Sequence, residues 1–142
     1  MTFRSILCPV DFSSVSRKAL RTAASLARSS NARMTVMFVD DPLLVAAAAA
    51  AGDTRASTQT TQAQLERFVA RTLPPASRPR RLSIEAMVGR PADLILETAR
   101  QSRADLIVMG TRGMGGVSRM LLGSTAEAVV TGAKIPVLAV PS

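Results

Sequence analysis

The sequence predicts an α/β domain in which a parallel five-stranded sheet carries helices on both faces. Three observations lead there. Short apolar runs alternate along the chain with longer stretches whose apolar residues recur at helical spacing, the rhythm of strand–helix units. The apolar runs are short, and only Leu82 to Val88 alternates in part. Near the C-terminus an apolar run, a glycine-rich stretch and a helix start follow one another directly. At 142 residues the chain fits a single domain over residues 1–142, and its 47% apolar content is enough to build a core.

The elements follow in order. Residues 5–10 are apolar and read as the first strand, closed by the polar turn at Asp11 to Ser14. Residues 14–28 place Ala19, Leu20, Ala23, Leu26 and Ala27 on one stripe, with arginines and serines opposite, and so predict a helix. Residues 33–39 form the second strand. The Ala-rich run after Pro42 favours helix, but Gly52 to Thr54 interrupts it without a visible cap. Residues 43–56 are therefore expected to be a mobile connection or a partly ordered helix. Helical spacing returns over 57–73, with Ala63, Leu65, Phe68, Val69 and Leu73 near one face, and Pro74 with Pro75 ends it. Residues 82–88 make the third strand. A helix opens at Pro91, whose missing N–H costs nothing in the first turn, and runs to residue 101. Residues 105–109 form the fourth strand, 124–131 the last helix and 135–140 the fifth strand. Pro136 has no ladder donor, which favours an edge position for that strand.

Composition narrows the chemistry. The chain has no histidine, which excludes imidazole acid–base catalysis and histidine metal sites, and its one cysteine, Cys8, excludes an internal disulfide. Cys8 lies in an apolar run, as an inert buried thiol would. No segment has the apolar length of a secretory leader or a membrane span, and a cytoplasmic protein with no membrane partner is expected. The net charge is +8, but much of it is spread along helix faces. The one dense cluster, Arg78 to Arg81, has no aromatic residues interleaved for base stacking, so the reading is a solvated basic surface and not a nucleic-acid partner.

In open parallel sheets ligands bind beyond the carboxyl ends of the strands where strand order reverses. The loops after the first and fourth strands would meet there. One carries Asp11, whose carboxylate suits a ribose hydroxyl or a bridging divalent cation, unless it only caps the first helix. The other carries glycines whose bare backbone lets an anion approach, with Arg112 as the cation for a phosphate oxygen. Ser124 and Glu127 have capping-box spacing at the following helix. The loop lacks the Gly-Lys-Ser/Thr ending of a P-loop, and the chain has no paired carboxylates for a two-metal site.

The spacing Gly110-x-x-Gly113, nine residues, then Gly123-Ser124 resembles the nucleotide loop of the universal stress protein family. Residues 6–13, 88–92, 104–113 and 133–140 resemble that family's corresponding segments. The resemblance covers nearly all of the chain outside residues 43–60. It implies a Rossmann-like (adenine nucleotide alpha hydrolase-like) sheet of order 3-2-1-4-5, and the branch of the family that binds ATP. It further implies that Pro9, Val10 and Asp11 line the adenosine end and that Val39 meets adenine through its backbone. Met109, Gly110, Arg112, Gly113, Gly123, Ser124 and Thr125 would hold ribose and phosphates. Mg2+ or Mn2+ would enter with the nucleotide, at Asp11. A homodimer through the C-terminal strand, from Ile135 to Val140, is implied as well. Phe38 stands where the family frequently has a histidine, which removes a polar group near the base. The expected function is a nucleotide-dependent stress-response protein with at most slow ATP hydrolysis. The alternative is a nucleotide-independent dimeric interaction module, and a nucleotidyl-transferring enzyme is the least favoured reading.

Overall fold

The computed structural model describes residues 2–52, 58–112 and 122–142. Five parallel strands form one sheet: β1 (Ser5–Pro9), β2 (Arg33–Asp40), β3 (Leu82–Val88), β4 (Leu106–Gly110) and β5 (Val137–Val140), in the order β3-β2-β1-β4-β5. This is the order expected from sequence. In register, Ile6 lies beside Met34 on one side and Leu106 on the other, so β1 is central. All five residues of β1 are buried.

Two layers of helix sandwich the sheet. On one face α1 (Ser14–Ser30) and α3 (Thr58–Thr72) bury Leu20, Leu65 and Val69 against Ile6, Val36 and Val108. On the other, α4 (Pro91–Gln101) and α5 (Ser124–Gly132) bury Ile95 and Val129 against Leu7, Met37 and Ile107. Each such side chain contributes about 1.5–3 kcal/mol through its removal from water. The alternation of β1 assigns Ile6 and Cys8 to one core and Leu7 to the other, as a period of two requires.

Helix α1 starts where Ser13 accepts the Ser16 N–H in its side-chain oxygen, and stops at Asn31, which takes the left-handed conformation (φ 53°) that asparagine tolerates. Of the uncertain region 43–56, the part up to Ala50 belongs to α2 (Pro42–Ala50), and 53–56 lie outside the described residues. The N-cap of α2, which the sequence reading did not single out, is Asp41, whose carboxylate accepts from the Leu43 N–H, with Pro42 in the first turn. None of the side chains of α2 is buried, and Leu43 and Leu44 are 78% and 67% exposed. Alanine propensity and the cap sustain this helix, not packing.

Three strand ends move by one residue from expectation, to Pro9, Asp40 and Gly110, and two strand starts shift, each start for a polar reason. Asp105 precedes β4 instead of opening it, because its carboxylate accepts the backbone N–H groups of Arg4 and Ser5 at 2.9 and 3.1 Å and ties the starts of β1 and β4 together. β5 begins at Val137 and not at Ile135, since Pro136 offers no N–H, although its carbonyl still accepts from Ile107. The edge position inferred from Pro136 is correct. At the opposite edge, the amide of Gln62 on α3 donates to the Ile84 carbonyl and accepts from the Ala86 N–H, at 2.8 and 2.7 Å. A side chain thus occupies the hydrogen-bonding groups of β3 that a further strand would use.

Candidate functional site

Because β2 and β3 extend from one side of β1 and β4 and β5 from the other, the chain leaves β1 and β4 in opposite directions, and a crevice opens beyond their carboxyl ends. Its volume is about 430 Å³. Ten of the eleven residues singled out from sequence line it: Pro9, Val10 and Asp11 after β1, Val39 on β2, Met109, Gly110 and Arg112 around the end of β4, and Gly123, Ser124 and Thr125 at the start of α5. Gly113 lies outside the described residues. Sequence reasoning missed Ser16, Thr111 and Ala126, and it missed Pro91 and Ile95, through which α4 supplies a wall. Pro91 carried a signal as a helix start, but nothing in the sequence put that start beside β1.

Asp11 is held on both sides. Its Oδ1 accepts from the Ser13 N–H at 3.1 Å and from the Ser13 hydroxyl, while its own N–H donates to the Ser16 hydroxyl at 3.2 Å. Ser13 is therefore the cap of α1, and Asp11 buttresses that cap instead of forming it. The tight turn this requires puts Phe12 in the left-handed region, at φ 67°. The Phe12 ring packs on Phe38 with centroids 4.6 Å apart and meets the edge of Phe68 at 5.4 Å, and the Arg17 guanidinium lies 5.3 Å from the centre of the Phe68 ring. Phe38, the departure from the family pattern, thus lines the crevice and belongs to an aromatic group with Phe12 and Phe68.

The start of α5 corrects two expectations. Gly123, not Ser124, is the N-cap, with the Glu127 N–H bonded to the Gly123 carbonyl at 2.9 Å. The capping box does not form, and the Ser124 hydroxyl makes no hydrogen bond within the described residues. Secondly, the Gly123 N–H is spent on the Thr111 carbonyl at 2.6 Å, so this amide is not offered to an anion. The donors left at the crevice are the first-turn amides of Ser124, Thr125 and Ala126, which no α-helix satisfies internally. They carry the positive end of the helix dipole.

Gly110 has a packing reason of its own. A Cβ built there would lie 2.7 Å from Val15 Cγ1 and 3.3 Å from the Val15 carbonyl carbon, so α1 could not approach β4 this closely over any other residue. The Thr111 N–H continues the ladder to the Val140 carbonyl, and the Arg112 guanidinium reaches the Ser142 hydroxyl, which joins the crevice rim to the C-terminal strand. Beneath the crevice, burial pushes the Cys8 thiol up to about 12, so it is neutral and inert at ordinary pH.

Among the described residues no cluster of three or more His, Cys, Asp or Glu side chains could hold a metal ion. Nor is any helix among them long and apolar enough to cross a membrane. The site thus combines a sugar-sized acceptor, an apolar wall and a helix start with open amides, without a general base of evident purpose.

Residues 2–141 match the model of the universal stress protein family. A universal stress protein of Thermus aquaticus is 34% identical over 97% of this chain and 98% of its own length. The solved structure of the universal stress protein UspA from Lactobacillus plantarum is 30% identical, superposes with a TM-score of 0.76, and is covered over 99% of both chains. A universal stress protein solved in complex with cAMP is 26% identical, with a TM-score of 0.72 and coverage of 99% of this chain and 98% of that one. A sheet of this order, a crevice at its reversal point and relatives matching from end to end all agree: the chain belongs to the universal stress protein family.

Proposed function

We propose that the crevice binds ATP and that the bound nucleotide acts as a ligand controlling stability and partner surface, in a cytoplasmic stress-response protein that hydrolyses it slowly at most. The observation that carries this reading is the convergence of ten sequence-selected residues on one crevice that ends at the three open amides of α5. In it, Val39 and the apolar β2 wall take the base, Asp11 takes the sugar, and the amides of Ser124, Thr125 and Ala126, with Arg112, take the phosphates. Gly113 is assigned to the same phosphate loop. The complex of a relative with cAMP supports an adenine nucleotide here.

One carboxylate, already accepting from Ser13, is a poor cage for a divalent cation by itself. The residues fit Mg2+ or Mn2+ only as an ion brought by the nucleotide, with phosphate oxygens and water completing its shell and Asp11 beside it. We assign the homodimer to β5 and the approach to it from Ile135, an edge whose Leu138 is exposed.

The test is thermal unfolding with ATP and Mg2+, against AMP, cAMP and GTP. At a concentration one hundred times Kd the ligand adds about 2.7 kcal/mol, which raises Tm by roughly 5–11 °C in a domain near this size. Arg112→Ala should lower the ATP response more than the AMP response. Absence of a shift with any nucleotide would remove the proposal.

A second reading, a nucleotide-independent interaction module, is favoured by one observation: Gly110 and the Gly123 amide both have structural employment. It expects Gly113→Val to leave partner binding intact, whereas the ATP reading expects that change to abolish nucleotide binding in a folded protein.

A further inference from the structure

At the end of the sheet away from the crevice, where the strands begin and the helices end, the surface holds two cationic depressions. Arg21, Arg28 and Arg71 line the first, about 430 Å³ in volume, between the C-terminal halves of α1 and α3. Arg33, Arg80 and Arg81 line the second, about 260 Å³, at the starts of β2 and β3. Neither is lined by a carboxylate or an aromatic ring. None of the six guanidinium groups is in an ion pair among the described residues. Two are instead held by backbone carbonyls, Arg33 on Ser102 and Arg81 on Asn31. Ser77 lines the first depression and Arg80 the second, so at most about 11 Å of extended chain separates their rims. Arg80 and Arg81 are adjacent in sequence, but Arg21, Arg28, Arg33 and Arg71 are scattered and only the fold brings them to the same pole.

We infer that this pole binds the phosphate backbone of duplex nucleic acid without reading its sequence. Two neighbouring depressions, each with three planar guanidinium forks and with serine hydroxyls at Ser25 and Ser83, suit repeated phosphates and not one isolated anion. Without aromatic rings there is no platform for the bases of a single strand. A protein partner would need an apolar centre, and the exposed large apolar residues, Leu43, Leu44, Val88, Val130 and Leu138, line neither depression. Without a large exposed apolar side chain to insert there, a lipid surface is disfavoured as well.

The test is anisotropy of a labelled random-sequence duplex titrated with the whole protein across salt concentrations. With four to six phosphates engaged, the slope of log K against log salt should be about −4 to −5, which at the upper end is close to a thousandfold loss between 50 and 200 mM salt. Arg71→Glu with Arg80→Glu, one exposed residue from each depression, should weaken binding at least tenfold and flatten the slope by about 2. Lys18→Glu with Arg90→Glu makes the same change in net charge at exposed residues that line neither depression and should change binding far less. Circular dichroism confirms that each variant is folded. Equal losses in the two variants would overturn the assignment, as would salt-independent binding. So would preference for single strands, or stronger capture of tripolyphosphate, an acidic peptide or anionic vesicles than of the duplex.

Discussion

Gly110→Ala isolates the contact that brings α1 onto β4. The new methyl carbon would stand 2.7 Å from Val15 Cγ1, well inside the 3.5–4.0 Å at which carbon atoms are in favourable contact. Val15 is β-branched and helical, so its χ1 has little freedom to turn the methyl away. Either the helix lifts or the side chain leaves its rotamer, and overpacking of this kind costs about 1–3 kcal/mol. At this chain length that is roughly 2–12 °C in Tm. Val15→Ala removes the 2.7 Å contact and leaves the carbonyl carbon and Cβ of residue 15, both at 3.3 Å, distances relieved by a shift of a few tenths of an ångström. The double variant should therefore be more stable than the sum of the single changes, by about 1–2 kcal/mol. Urea unfolding of the four proteins measures this directly. A Gly110→Ala protein as stable as the parent, or strict additivity with Val15→Ala, would refute the packing account. Loss of nucleotide response at unchanged stability would return Gly110 to the ligand.

Two further outcomes follow from single side chains. Folding holds the Cys8 thiol at about 12 against 9.0 when unfolded, so between these values the native state binds more protons and stability falls as pH rises. The stability of the parent relative to Cys8→Ala should drop by about 1.4 kcal/mol between pH 8 and pH 10; a difference independent of pH would contradict the burial of the thiol. Gln62→Leu deprives the Ile84 carbonyl and the Ala86 N–H of their partner, at about 1–3 kcal/mol for the two bonds. Hydrogen exchange should show the Ala86 amide opening faster than its neighbours in β3, and unchanged protection there would mean that Gln62 does not close the edge.

The sheet was legible because its physics is local and repetitive: β1 carries an unbroken apolar run and α1 a clean stripe of alanine and leucine. The site was legible because strand ends converge by topology once the order is known, so Asp11 and Ser124, far apart in sequence, share a crevice. What escaped was the allocation of polar groups. Whether Ser124 or Gly123 caps α5 depends on which backbone enters the helix, and spacing alone favours the serine. The commitment of the Gly123 amide to Thr111 depends on a loop conformation that glycine leaves undetermined. Asp41 was hidden as a cap because the all-apolar run after Pro42 has no polar face to mark where a helix begins. The arginines looked dispersed because helix ends distant in sequence meet at one pole only in three dimensions.

The two borders of the sheet are not equivalent. On β3 a glutamine already fills the place of a neighbouring strand, whereas among the described residues no side chain does so on β5. Growth by strand addition therefore has one doorway per molecule. Two copies meeting β5 to β5 close each other's doorway and stop, while a head-to-tail stack of β3 on β5 would need Gln62 to let go at every joint. One amide side chain thus blocks strand addition at one of the two borders.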